Sequence, residues 1–141
     1  MYNNILYATD LSKEHYVIDQ KAATIAKSFG ANLQLIHVLE PPTSLQIAQG
    51  LGFAEFDIPV KKEALTVINV LGESLNISPN NQHIEIGSVK NEILKKASAL
   101  QCDLIIVGSH SPGGFSAFVG STTHAIVHNA RCDVLTIRSP Y

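Results

Sequence analysis

Charge of either sign is scarce in this chain: Asp, Glu, Lys and Arg make up 16% of it and leave a net charge of −2. Neutralising a phosphate backbone takes a surplus of Lys and Arg gathered on one face, so no nucleic acid is expected among the partners. Long apolar runs are missing too. None approaches the ~18 residues that a membrane span requires. The opening Met1-Tyr2-Asn3-Asn4 lacks the basic region and apolar stretch of a secretory leader. A soluble, cytoplasmic protein with no membrane partner is therefore expected. Two cysteines, Cys102 and Cys132, are too few for a disulfide framework or a complete structural zinc site. Next to apolar runs, they read as packing thiols in a reducing compartment, not as nucleophiles.

What the chain has in quantity is apolar residues, 45% of its 141. That suits one self-sufficient domain over residues 1–141 and argues against disorder. Short apolar runs alternate with longer amphipathic stretches. Ile5–Ala8, Leu33–Val38, Leu104–Val107 and Val134–Ile137 read as buried strands, with Leu104–Val107 the most hydrophobic and hence interior. His83–Ile86 alternates polar and apolar and reads as half-exposed. The first helix is expected to open with Ser12 as its cap and Glu14 in its first turn, to bury Val17, Ala22, Ile25, Ala26 and Phe29, and to stop at Gly30. Pro41-Pro42 close the second strand. Thr43–Asp57 is irregular, a mobile excursion or a short helix, and a long helix follows over about Pro59–Leu75. A further amphipathic helix follows Gly87-Ser88, and a last one is expected from about Ser121. Strands alternating with helices predict an α/β, doubly wound parallel sheet, which takes ligands beyond the carboxyl ends of its strands where the strand order reverses.

The loop after the fourth strand draws attention. Gly108-Ser109-His110-Ser111-Pro112-Gly113-Gly114 leaves the most apolar strand, and Gly120-Ser121-Thr122 follows at the expected helix start. Small residues let a backbone approach a ligand closely, and a helix start offers unpaired N–H groups and a positive dipole end. The pattern fits a phosphate cradle. It fits equally a Gly-rich turn followed by a capped helix, and it is neither a Walker A nor a dinucleotide-fold fingerprint. Asp10, at the end of the first strand, reads as a ligand contact or as a carboxylate that steadies the next turn. His124 and His128 lie four apart on one helix, a spacing that can grip a metal, but no third ligand is evident and no metal site is expected.

Taken together, Ile5-Leu6-Tyr7-Ala8-Thr9-Asp10-Leu11-Ser12, Leu35-Ile36-His37-Val38, Asp103-Leu104-Ile105-Ile106-Val107-Gly108-Ser109-His110, Gly120-Ser121 and Cys132-Asp133-Val134-Leu135-Thr136-Ile137-Arg138 resemble the universal stress protein family over essentially the whole chain. The resemblance implies a Rossmann-like, adenine nucleotide alpha hydrolase-like five-stranded parallel sheet of order 3-2-1-4-5. It also implies a switch point between strands one and four, and a homodimer formed through Val134–Arg138. The nucleotide-binding branch of the family carries Gly-x-x-Gly, nine residues, then Gly-Ser/Thr. Here the first glycine is Gly108 and the final pair Gly120-Ser121, while Ser111 replaces the second glycine and the interval is one residue shorter.

By the same resemblance, Ala8, Thr9, Asp10 and Val38 meet the adenine and ribose of ATP or AMP. Val107, Gly108, Ser109 and His110 approach ribose and phosphates, beside Gly120, Ser121 and Thr122. The expected role is a stress-response dimer with an adenine nucleotide as regulatory ligand. Ser111 and the shortened loop favour the alternative, a nucleotide-free protein-interaction dimer whose partners the sequence does not name. A slow ATPase is a third reading. No base–nucleophile pair or Mg²⁺ carboxylate cluster stands beside the loop, so no residue is assigned a catalytic role.

Overall fold

The computed structural model describes residues 1–41, 43–52, 58–109 and 116–138. Five strands, β1 (Asn4–Ala8), β2 (Asn32–Leu39), β3 (Gln82–Ile86), β4 (Leu104–Ser109) and β5 (Asp133–Arg138), form one all-parallel sheet of order β3-β2-β1-β4-β5. The helices are α1 (Tyr16–Phe29), α2 (Thr43–Gly50), α3 (Ile58–Ser74), α4 (Val89–Ala99) and α5 (Ser116–Asn129). The expected sheet and strand order are both found. So are the short helix within Thr43–Asp57 and the long one after it. Residues 53–57 lie outside the described residues.

Apolar side chains cover both faces of the sheet, as parallel strands require. Ile5, Tyr7, Leu35 and Ile106 join Ile18, Ala22, Ala64 and Ile68 of α1 and α3 on one face. Leu6, Ile36, Ile105 and Val107 join Ile93, Ala97 and Ile126 of α4 and α5 on the other. Gly30 ends α1 at φ 63°, its N–H bonding the Ala26 and Lys27 carbonyls, the left-handed stop that a Cβ would resist. Ser88 caps α4, its side chain accepting from the Asn91 N–H.

Three expectations need correction. Val17 and Phe29 do not belong to the buried stripe of α1: they are 37% and 40% exposed, and the stripe is Ile18, Asp19, Ala22 and Ala26. The chain enters α1 through a 3-10 turn, Lys13–His15. Within α1, Val17 lies five residues and so about 140° from Ala22, off the face that Ile18, Ala22 and Ala26 share. Phe29 instead packs edge-on against Tyr2, ring centroids 5.1 Å apart. Ser12 makes no side-chain cap bond, and its buried Oγ has no hydrogen-bond partner among the described residues. The turn is closed by Asp10, whose Oδ1 accepts from the Ser12 N–H at 2.8 Å. Finally, α5 opens at Ser116, not near Ser121. The chain-breaking residues end at Gly114, and nothing in Ser116-Ala117-Phe118-Val119 opposes a helix strongly enough to delay it.

Candidate functional site

The reversal of strand order falls between β1 and β4, where the crossovers depart to opposite faces and leave a crevice at the carboxyl ends. Register shows what lines it. Ala8 lies opposite Ile36 on β2 and Val107 on β4, and Val107 lies opposite Thr136 on β5. Val38, Gly108 and Ser109 continue their strands past that row. The structure thus gathers Ala8, Thr9, Val38, Val107, Gly108 and Ser109 at one end of three adjacent strands, with Asp10 beside them. His110 lies outside the described residues. Gly120, Ser121 and Thr122 fall in the second turn of α5, away from its first N–H groups, and Thr122 is exposed.

The gathered residues differ in what they can offer. Val107 is 5% exposed, with its side chain in the α4–α5 core, so only its backbone is available to a ligand. Gly108 runs beneath α1: a Cβ there would lie 3.2 Å from Ile18 Cδ1, so the glycine serves close packing. Thr9 is fully engaged. Its N–H bonds the Ile36 carbonyl at 2.9 Å, and its carbonyl accepts from His37 Nδ1 at 2.8 Å. Its hydroxyl donates to Asp19 Oδ1 at 3.1 Å and accepts from the Leu11 N–H at 3.1 Å. A carbonyl oxygen only accepts, so His37 carries its proton on Nδ1. Asp10 is exposed, and its Oδ2 meets His15 Nδ1 at 2.8 Å.

Behind this rim lies a polar cluster that sequence reading missed. Tyr7 donates its hydroxyl to Asp19 Oδ1 at 2.5 Å, with Tyr7 1% and Asp19 2% exposed. Burial raises the Asp19 carboxyl above its ordinary range, opposed by the hydroxyls of Tyr7 and Thr9. Burial likewise pushes the Tyr7 phenol far above its ordinary value, so it stays protonated. The signal was in the sequence: Asp19 stands three residues before Ala22 and seven before Ala26, a carboxylate on the core face of a helix, facing a strand that ends in Tyr-Ala-Thr.

Burial pushes the Cys102 thiol up to about 12 and raises Cys132 as well, as packing thiols require. The His124 and His128 rings stack at 5.0 Å, and no group of three or more metal-ligating side chains occurs among the described residues. No described helix is long and apolar enough to cross a membrane.

Known proteins share this arrangement. A family model described as the universal stress protein family matches residues 1–138. Universal stress protein A homolog 2 of Coxiella burnetii is 36% identical, with 97% of this chain and 95% of the relative covered. Homolog 1 of the same organism is 34% identical, with 96% of each covered. Among solved structures, UspA of Lactobacillus plantarum superposes with a TM-score of 0.70 at 25% identity, covering 97% of this chain and 98% of that one. A universal stress protein solved in complex with cAMP superposes with a TM-score of 0.69 at 18% identity, covering 98% of both. The 3-2-1-4-5 sheet, the crevice at its reversal and a family match over nearly the full length agree: the chain belongs to the universal stress protein family.

Proposed function

We propose that this chain is a cytoplasmic stress-response homodimer that binds an adenine nucleotide, ATP or AMP, at the carboxyl ends of β1, β2 and β4. The observation that carries the reading is the in-register row of Ala8 and Val107 across the strand reversal, past which Gly108 and Ser109 continue β4. Small side chains there leave backbone N–H and C=O groups for a base and ribose, as such crevices do. The related structure solved with cAMP supports an adenine nucleotide as the ligand class. Mass spectrometry of small molecules released on denaturation, followed by calorimetric titration with ATP, AMP and cAMP, tests it. Retained nucleotide is expected. Protein that is empty and ignores all three nucleotides overturns the reading.

The proposed dimer forms along β5. Among the described residues that strand pairs only with β4, leaving an outer edge that bears Leu135 at 36% exposure and an exposed Thr136. An uncovered edge is a template for a second strand. Leu135→Glu would set like charges near each other across a two-fold axis. Sedimentation should then show the protein shifting from dimer to monomer with its helical circular dichroism unchanged. A wild-type monomer at micromolar concentration would refute the interface.

The second reading, a nucleotide-free interaction dimer, is favoured by one specific observation. Every polar atom of Thr9 already has a partner within the protein.

A further inference from the structure

We propose that Asp19 is a positioning residue for the crevice: through Thr9 it presets the backbone that leaves β1. Asp19 is buried on α1, and a single oxygen, Oδ1, accepts both the Tyr7 hydroxyl and the Thr9 hydroxyl. A leucine would fill such a place without the cost of burying a carboxylate. What a leucine cannot do is take the Thr9 proton. A hydroxyl has one proton and two lone pairs. With the proton committed to Asp19, the lone pairs face outward, and one receives the Leu11 N–H at 3.1 Å.

That bond holds a costly turn. Leu11 has φ 60°, left-handed backbone that a branched side chain resists. From this turn the chain continues to Asp10–Ser12 and Asp10–His15, the contacts that fix the only expected ligand carboxylate at the rim. The relay Asp19–Thr9–Leu11 therefore runs from the core to the edge of the crevice. Tyr7 buttresses Asp19 without touching the turn.

The inference rests on the nucleotide reading for its affinity measurement only, so the test has two arms. The first is deuterium exchange at the Leu11 amide of the ligand-free full chain, at a temperature where circular dichroism shows every variant folded. Thr9→Val and Asp19→Leu should speed exchange about five- to tenfold, the factor one hydrogen bond allows. Asp19→Asn, which keeps Oδ1 as an acceptor, should restore the slow rate. Tyr7→Phe should lower stability without speeding Leu11, a separation that a purely structural role would not produce. The second arm is the dissociation constant for ATP and AMP, expected to rise about tenfold in Asp19→Leu and to recover in Asp19→Asn.

Unchanged Leu11 exchange in a folded Asp19→Leu overturns the proposal, as does equal acceleration in Tyr7→Phe. So does faster exchange with undiminished affinity. If the wild type binds neither nucleotide, the functional reading fails and the exchange arm alone decides the relay. If Asp19→Leu does not fold, Thr9→Val carries both arms.

Discussion

Truncating Ile106 to alanine should lower the free energy of unfolding by about 3–5 kcal/mol, the upper part of the range for buried isoleucine. Ile106 is 0% exposed in the α1–α3 cluster, on a strand paired along both edges. Its register partners are Tyr7 and Leu135. The cost of such a truncation depends on how far the surroundings can close into the void. Here they have little freedom, because β4 is pinned by two ladders and Ile18 already stands 3.2 Å from the Cβ position of Gly108. Urea denaturation gives the number directly. The same truncation at Leu135, 36% exposed at the sheet edge, should cost less than about 1.5 kcal/mol in a monomeric background, since most of its transfer energy is never gained. A loss below about 2 kcal/mol for Ile106→Ala would mean that the core relaxes far more than parallel ladders ordinarily allow.

The contrast between these two leucine-sized residues shows how the fold could be read from sequence. Leu104-Ile105-Ile106-Val107 is apolar at every position because both of its faces are covered, and that pattern alone marks an interior parallel strand. The strand order came from the family resemblance, and the sheet has it. The phase of α1 was harder. Val17 is apolar and near the stripe in sequence, but five residues from Ala22 it points about 140° away, and Phe29, the last residue of α1, packs on Tyr2 instead. The start of α5 was misplaced for a related reason, since Ser121 and Thr122 look like caps and Ser116 does too.

The site was legible at its rim and opaque beneath it. Ala8, Val107 and Gly108 are ends of recognisable strands, so the topology places them together. Thr9 is a ligand contact by the family resemblance; within the protein its partners include groups of β2 and α1, as far as 28 residues along the chain. No periodicity encodes such pairings. Asp19 was legible only as an anomaly, a carboxylate among core positions, and anomalies of this kind mark polar networks or sites more often than errors.

That network yields the second large effect. Tyr7→Phe should cost about 2–3 kcal/mol at pH 8, because it removes the 2.5 Å hydrogen bond to a buried carboxylate and leaves the Thr9 hydroxyl as the remaining side-chain donor to Oδ1 among the described residues. The loss should shrink as the pH falls. The Tyr7 bond favours the ionised form of Asp19, against the upward push of burial and of nearby Asp10. Without that bond the folded-state pKa of Asp19 rises further above its unfolded value. The folded variant then holds its proton over a wider pH range than the folded wild type. Stability falls with pH wherever the folded state binds more protons than the unfolded one. Over the interval in which the folded wild type has released the Asp19 proton and the folded variant still holds it, the variant's stability falls with pH relative to the wild type's, and the gap between them widens. Below that range both proteins hold Asp19 protonated, and only the loss of a neutral hydrogen bond, about 1 kcal/mol, should remain. Urea midpoints for both proteins from pH 4 to pH 8 measure the gap. Asp103 and Glu85, whose carboxyls are held below their ordinary values by backbone N–H groups and by Lys96 respectively, affect both proteins alike and cancel in the difference. A gap that stays constant from pH 4 to pH 8 would mean that Asp19 keeps its proton in the folded protein over that range, and Thr9 and Tyr7 would then be bonded to a carboxylic acid.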